Sequence, residues 1–298
     1  MRTALPLLAI AASLLFAPVA VALNEFGIEG MGVVSTKANE GRASISADGQ
    51  HIVFASDRSG GVGGWDLWQA TLREGRWQDP QPLAFNSAGD DVDPYFSRDG
   101  RWLLFASDRN GGLTLYRVAI GSDGRFGMPE TWRDPADAAP ERAPALSADG
   151  LHLLFSRQRG KGHGWDLFAA PVVDGRRGAA IALDGLNTAA GETDGDWLGR
   201  DGAVVFTRAI GDTAQVWRSG CAWTGGAVQP VVLSFNTADG HTATPVVDNA
   251  KPGEMMLVSR SARAPRAGGT DVYRMMTPRV EPVAGCGPTV GAASAGVR

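Results

Sequence analysis

Acidic side chains stand before a recurring segment of this chain, and their spacing is what could do chemistry. Glu40, Asp91, Asp93, Glu141, Glu192 and Asp194 fall at intervals of about fifty residues, with Arg142 and His241 at matching places. If each copy brings its acid to one centre, the carboxylates form a ring around a mouth. Such a ring suits a cation, a basic peptide, or a pair of carboxylates working on a sugar. Glycoside hydrolysis needs only two of them, about 5–10 Å apart. The plain alternative is a set of solvated loop charges.

Other chemistry has little support in the residues. The four histidines, His51, His152, His163 and His241, show no metal-ligand spacing. No Gly-x-Ser-x-Gly turn offers a nucleophile. The glycine-rich runs at 59–64, 110–112 and 160–162 join strands to strands, so they are not phosphate cradles. We expect no catalytic set, no metal and no cofactor, with a cation at the acidic mouth as the alternative.

What must position the acids is a segment written five times. The first copy has a short strand (Ser44-Ile45-Ser46), the turn Asp48-Gly49, a strand Ile52-Val53-Phe54-Ala55, and then Ser56-Asp57-Arg58. The turn recurs at Asp99-Gly100, Asp149-Gly150 and Asp201-Gly202, with aspartates 51, 50 and 52 residues apart. The fifth copy, Pro245-Val246-Val247-Asp248-Asn249 followed by 255–260, has lost Asp-Gly. Asp-Gly is hairpin chemistry, because Asp bonds its own backbone and Gly accepts positive φ. The strand after it is apolar at every position and must be covered on both faces. Each copy then carries an aromatic signature: Trp65-Asp66-Leu67-Trp68, Thr114-Leu115-Tyr116, Trp165-Asp166-Leu167-Phe168, Gln215-Val216-Trp217 and Thr270-Asp271-Val272-Tyr273.

Four-stranded units that cover one another are the blades of an all-β β-propeller. The copies predict five blades, near 42–91, 92–141, 142–192, 193–241 and 242–280, with six as the alternative. The run 32–40 resembles 81–91 and 231–240. The N-terminus therefore reads as an outer strand that completes the last blade and closes the ring.

Recurrence also marks scaffold. Asp57-Arg58 and Asp108-Arg109 read as ion pairs that close a loop, with Gln158-Arg159 in their place in the third copy. Asp66, Asp166 and Asp271 read as turn or blade-to-blade hydrogen bonding. Trp65, Trp68, Trp165 and Phe168 read as packing.

The pattern P-x-[FL]-S-x-D-G-x-x-[IL]-x-F-x-S-D-R-x-G-G, followed by D-[LV]-[WFY], resembles the TolB-type propeller repeat. That is the WD-like repeat of the periplasmic Tol translocation protein and many secreted relatives. The copies at 42–68 and 93–116 carry it best, 143–168 is close, and the likeness covers about 42–275. The Tol protein has a separate α/β domain before its propeller, for which there is no room ahead of the first copy here. The resemblance implies a stand-alone propeller that binds a protein or peptide of the cell envelope without catalysis. The alternative is a carbohydrate-active enzyme using carboxylates at the mouth.

The ends and the composition bound the setting. Residues 1–22 have one arginine, an apolar core and a small-x-small site at Ala20-Val21-Ala22, which describes a secretory signal peptide cleaved near Ala22. The product would be periplasmic or secreted, one propeller domain over 23–286, with a small, polar, disordered tail at 287–298. The net charge of −4 and the absence of a basic block argue against nucleic acid. No later stretch is long and apolar enough to span a bilayer, and a monomer is expected. Cys221 and Cys286 either pair or stay as two thiols, a matter of geometry.

Overall fold

The computed structural model describes residues 25–134, 138–160 and 164–288. The expected leader, His163 and most of the expected tail lie outside them. Blade 1 is Glu40–Ile45, His51–Ser56, Asp66–Arg73 and Arg76–Pro82. Blade 2 is Asp91–Phe96, Trp102–Ser107, Thr114–Ala119 and Glu130–Thr131. Blade 3 is Glu141–Leu146, His152–Gln158 and Trp165–Val173, with an outer edge split into Arg176–Arg177 and Ile181–Ala182. Blade 4 is Gly191–Trp197, Val204–Ile210, Thr213–Ser219 and Gln229–Pro230. Blade 5 is Thr242–Val247, Glu254–Ser259 and Asp271–Met276, completed by Glu25–Ile28 from the other end of the chain. The molecule is a five-bladed β-propeller, the smaller of the two expected rings.

The second strands explain why the blades must form a ring. Ile52 to Ala55, Leu103 to Ala106 and Val204 to Phe206 are all at most 1% exposed. Their side chains point alternately to two faces, so each blade needs a neighbour on both sides. Phe54, Phe105, Phe155, Phe206 and Leu257 sit opposite Trp68, Tyr116, Phe168, Trp217 and Tyr273 on the third strands. This cross-strand pair is the aromatic signature at work, and burying each such ring contributes about 1.5–3 kcal/mol.

The closing strand lies just upstream of the run that resembled its counterparts. The segment 32–39 forms the connection between blades, as does the Leu83-Ala84-Phe85-Asn86 run after blade 1's outer strand. The shared composition has a bonding reason. Asn86, Asn187 and Asn236 each bracket a third-strand residue, accepting from the N–H and donating to the C=O of Leu67, Leu167 and Val216. In blade 5 the Ser35 hydroxyl makes the same two bonds with Val272. Arg274 then fastens the seam, meeting Glu29 at 2.5 Å and Asp248 and Glu254 at 2.7 Å.

Cys221 and Cys286 form a disulfide across 65 residues, with Cα atoms 5.6 Å apart. It ties the segment after blade 5 to the loop between the third and fourth strands of blade 4.

Two outcomes follow for stability. Arg274→Met strands three carboxylates and should lower unfolding free energy in urea by about 3 kcal/mol; an unchanged midpoint would refute the seam. Cys286→Ser should cost about 4 kcal/mol by loop-closure entropy, with reductant destabilising wild type alone. Equal sensitivity to reductant in both proteins would contradict it.

Candidate functional site at the channel mouth

The recurrent acids do not form a free ring. Glu40, Asp91, Glu141 and Glu192 are buried at the starts of the first strands. Each meets an arginine from the end of its own blade's second strand: Arg58 at 3.1 Å, Arg109 at 2.5 Å, and Arg157 and Arg208 at 2.7 Å. Arg177 adds a second guanidinium to Glu141 at 2.6 Å. The same arginines lie over the aromatic pairs. Arg58 is 4.6 Å from the ring centre of Phe54, Arg109 4.9 Å from Tyr116, Arg157 4.8 Å from Phe168 and Arg208 4.5 Å from Trp217. A buried carboxylate must be paired or hydrogen-bonded, a guanidinium does both, and it stacks well on aromatic faces. These four acids are clamps within the blades.

The clamp revises the expected pairs. Arg58 and Arg109 take the first-strand acids, while Asp57 and Asp108 accept from the backbone N–H groups of Asn39 and Asp90. In blade 3 Arg157 holds the clamp, and Arg159 meets Asp166 at 2.9 Å. Asp66 and Asp271 accept from N–H groups of Val62 and Gly63, and of Ala267 and Gly268, which is a turn role.

Just past each clamp position the first strand bulges. Its pairing slips between Glu40 and Ala43, Val92 and Tyr95, Arg142 and Ala145, Thr193 and Asp196, and Ala243 and Val246. Asp93, Ala143, Asp194 and Thr244 take φ of 57°, 54°, 54° and 54°. Non-glycine residues rarely sit there, a β-branched Thr least of all, and each costs about 1–3 kcal/mol. A bulge re-aims a side chain, here toward the central channel. Arg42 holds the same position in blade 1.

The bulges bring Asp93, Arg142 and Asp194 together across three blades. Asp93 accepts from Arg142 Nε and Nη2 at 2.9 and 3.0 Å, and from the Ala143 N–H at 3.1 Å. Asp194 stands 3.8 Å from the same guanidinium. Burial opposes the charge of Arg142, but the two carboxylates more than offset it and raise its pKa. At Asp194 burial dominates and raises the pKa; Arg142 opposes it and Asp93 adds to it. Asp196, also fully buried, is raised by burial as well, against the pull of Arg42. It accepts from the N–H groups of Trp197 and Val247 at 2.8 and 2.7 Å. His241 lies apart, in a cleft of about 390 Å³ with Arg260, Arg263 and Arg266, where burial lowers its pKa.

A cavity of about 340 Å³ opens at this end of the channel. Arg42, Trp65, Val92, Asp93, Leu113, Arg142 and Thr244 line it, with Asp90 and Asp108 from the connecting loops. Trp65, read from the sequence as packing, is on this wall. Arg42 and Thr244 escaped the sequence reading, although their places in the repeat match those of Asp93 and Asp194. Among the described residues no three His, Cys, Asp or Glu side chains gather as a metal site.

No protein-family profile and no curated protein matches the chain. Solved structures do. A putative TolB from Agrobacterium tumefaciens aligns over 82% of this chain and 92% of its own, with 15% identity and a TM-score of 0.53. A thermostable family-43 glycoside hydrolase aligns over 85% and 99%, with 11% identity and a TM-score of 0.55. TolB from Acinetobacter baumannii aligns over 65% of this chain and 43% of its own, with 18% identity and a TM-score of 0.45. At such identities the likeness is one of fold: the chain shares its propeller with TolB-type proteins and with hydrolases.

The raised pKa of Asp196 fixes the sign of a pH effect. The folded state holds that proton to higher pH than the unfolded chain, so its contribution to stability falls as pH rises from the ordinary aspartate value through the folded one. Asp196→Asn removes this dependence. Its stability relative to wild type should therefore improve from about pH 4 to about pH 8 in urea titrations; a gap that stays constant would show that burial does not raise Asp196.

Proposed function

We propose that this chain is a periplasmic or secreted binding module that holds an envelope protein through a peptide segment lodged in the channel mouth. The observation that carries the reading is the condition of Asp93. It is the member of the Asp93–Asp194 pair that lines the cavity, and both its oxygens are taken by Arg142. Glycoside hydrolysis needs one carboxyl to protonate the leaving oxygen and another to attack or to activate water. A carboxylate held in a guanidinium fork serves neither task. The mouth instead offers the apolar Val92 and Leu113, a half-buried indole from Trp65, and charges of both signs. That mixture suits a peptide, with an aromatic anchor and a polar rim. The leader-like residues 1–22 and the disulfide support an oxidising compartment outside the cytoplasm.

A carbohydrate-active enzyme is the second reading. Its support is the raised pKa of Asp194 near a second carboxylate, and a fold shared with a glycoside hydrolase.

One experiment separates the two. Tagged mature protein should retain an envelope partner, and Trp65→Ala or Val92→Asp should weaken capture about tenfold or more with the fold intact. Capture equal in all three proteins would reject the mouth. Sugar released from a polysaccharide panel by wild type, and lost in Asp93→Asn, would replace binding with catalysis.

A further inference from the structure

Among the described residues, two buried polar groups without partners stand on the wall of the mouth. Arg42 is 1% exposed, yet its Nε and Nη1 have no hydrogen-bond partner. Its remaining nitrogen, Nη2, crosses the channel to the Gly195 carbonyl of blade 4 at 3.2 Å. Buried donors without acceptors are costly, and a charged one most of all. Asp196 balances the charge of Arg42 only at a distance, since no ion pair joins them and its oxygens take backbone N–H groups. Thr244, on the neighbouring blade 5, also has a buried hydroxyl with no partner. The two residues hold the same bulge position and line the same cavity.

We propose that Arg42 and Thr244 receive a carboxylate borne by the ligand, a peptide C-terminus or an acidic side chain. This rests on the peptide-binding reading of the mouth and names the group that enters deepest. Guanidinium donors and a hydroxyl are the donor set that a carboxylate takes. Asp90, Asp93 and Asp108 on the same cavity wall disfavour a more highly charged anion such as phosphate, and they favour a basic residue flanking the acid. The recognised segment is therefore one of mixed charge, acid inward and base at the rim.

Sodium acetate is the probe, with acetamide and inorganic phosphate as controls. Acetate should shift the Arg42 Nε–H resonance saturably in arginine-selective NMR and raise the melting temperature. Arg42→Met should weaken acetate binding about ten- to hundredfold, and Arg42→Lys, which keeps the charge, should recover only part of it. Acetate that leaves the Arg42 resonance unmoved, or that stabilises Arg42→Met as much as wild type, overturns the proposal. So does phosphate binding more tightly than acetate, which would mark a general anion site. If acetate fails while envelope capture still depends on Trp65 and Val92, the receptor role of Arg42 falls and the binding reading stands.

Discussion

A carboxylate removed from water must meet a cation or a set of hydrogen-bond donors, or give up its charge, and at the first strand four of the five blades answer this in one way. The acid at the start of the first strand meets an arginine at or just past the end of the second, and that arginine lies over the aromatic pair between the second and third strands. One group thus joins three strands. It sets where the first strand begins, and so where its bulge falls and which side chain enters the channel. Blade 5 shows the arrangement by departing from it. Thr242 replaces the acid and bonds the Ser259 hydroxyl, while Arg260 turns outward to the Asp212 carbonyl. Cohesion there passes to the closing strand and to the cluster around Arg274.

The fold was legible because its causes are local and repeated. Asp-Gly turns, doubly apolar strands and a recurring aromatic each state a requirement that only stacked blades satisfy. Even the displaced closing strand follows this logic: the similarity of 32–40 to 81–91 is real, but it reports the bracket around the third strand made by Ser35 and Asn86. The site was less legible, for a geometric reason. Residues two apart on a regular strand share a face, so Glu40 and Arg42, or Asp91 and Asp93, read alike. The bulge breaks that equivalence, sending one of each pair into a clamp and the other toward the channel. In blades 2 to 5 the composition of the first strand does not announce the bulge, since no glycine occupies the strained position.

The division between repeated and variable residues therefore falls within the acidic series itself. Glu40, Asp91, Glu141 and Glu192 belong to the scaffold. Arg42, Asp93, Asp194 and Thr244 differ from blade to blade and occupy strained or incompletely bonded positions around one opening, where Arg142 pairs with Asp93. Strain that persists in four blades is held in place by the surrounding ring, as at binding sites in general. A propeller supplies such a ring to many chemistries, and the side chains placed on it set the function.

The central claim, that ligand meets the variable bulge residues at this mouth, is tested most directly by where a partner can be crosslinked. A photoreactive residue in place of Val92 on the cavity wall, and another in place of exposed Leu151 on the opposite, turn-bearing face, would be compared in envelope extract. The account predicts one crosslinked partner from position 92, suppressed by Trp65→Ala, and none from position 151. Crosslinking from position 151 alone would contradict it and move function to the other face of the disk.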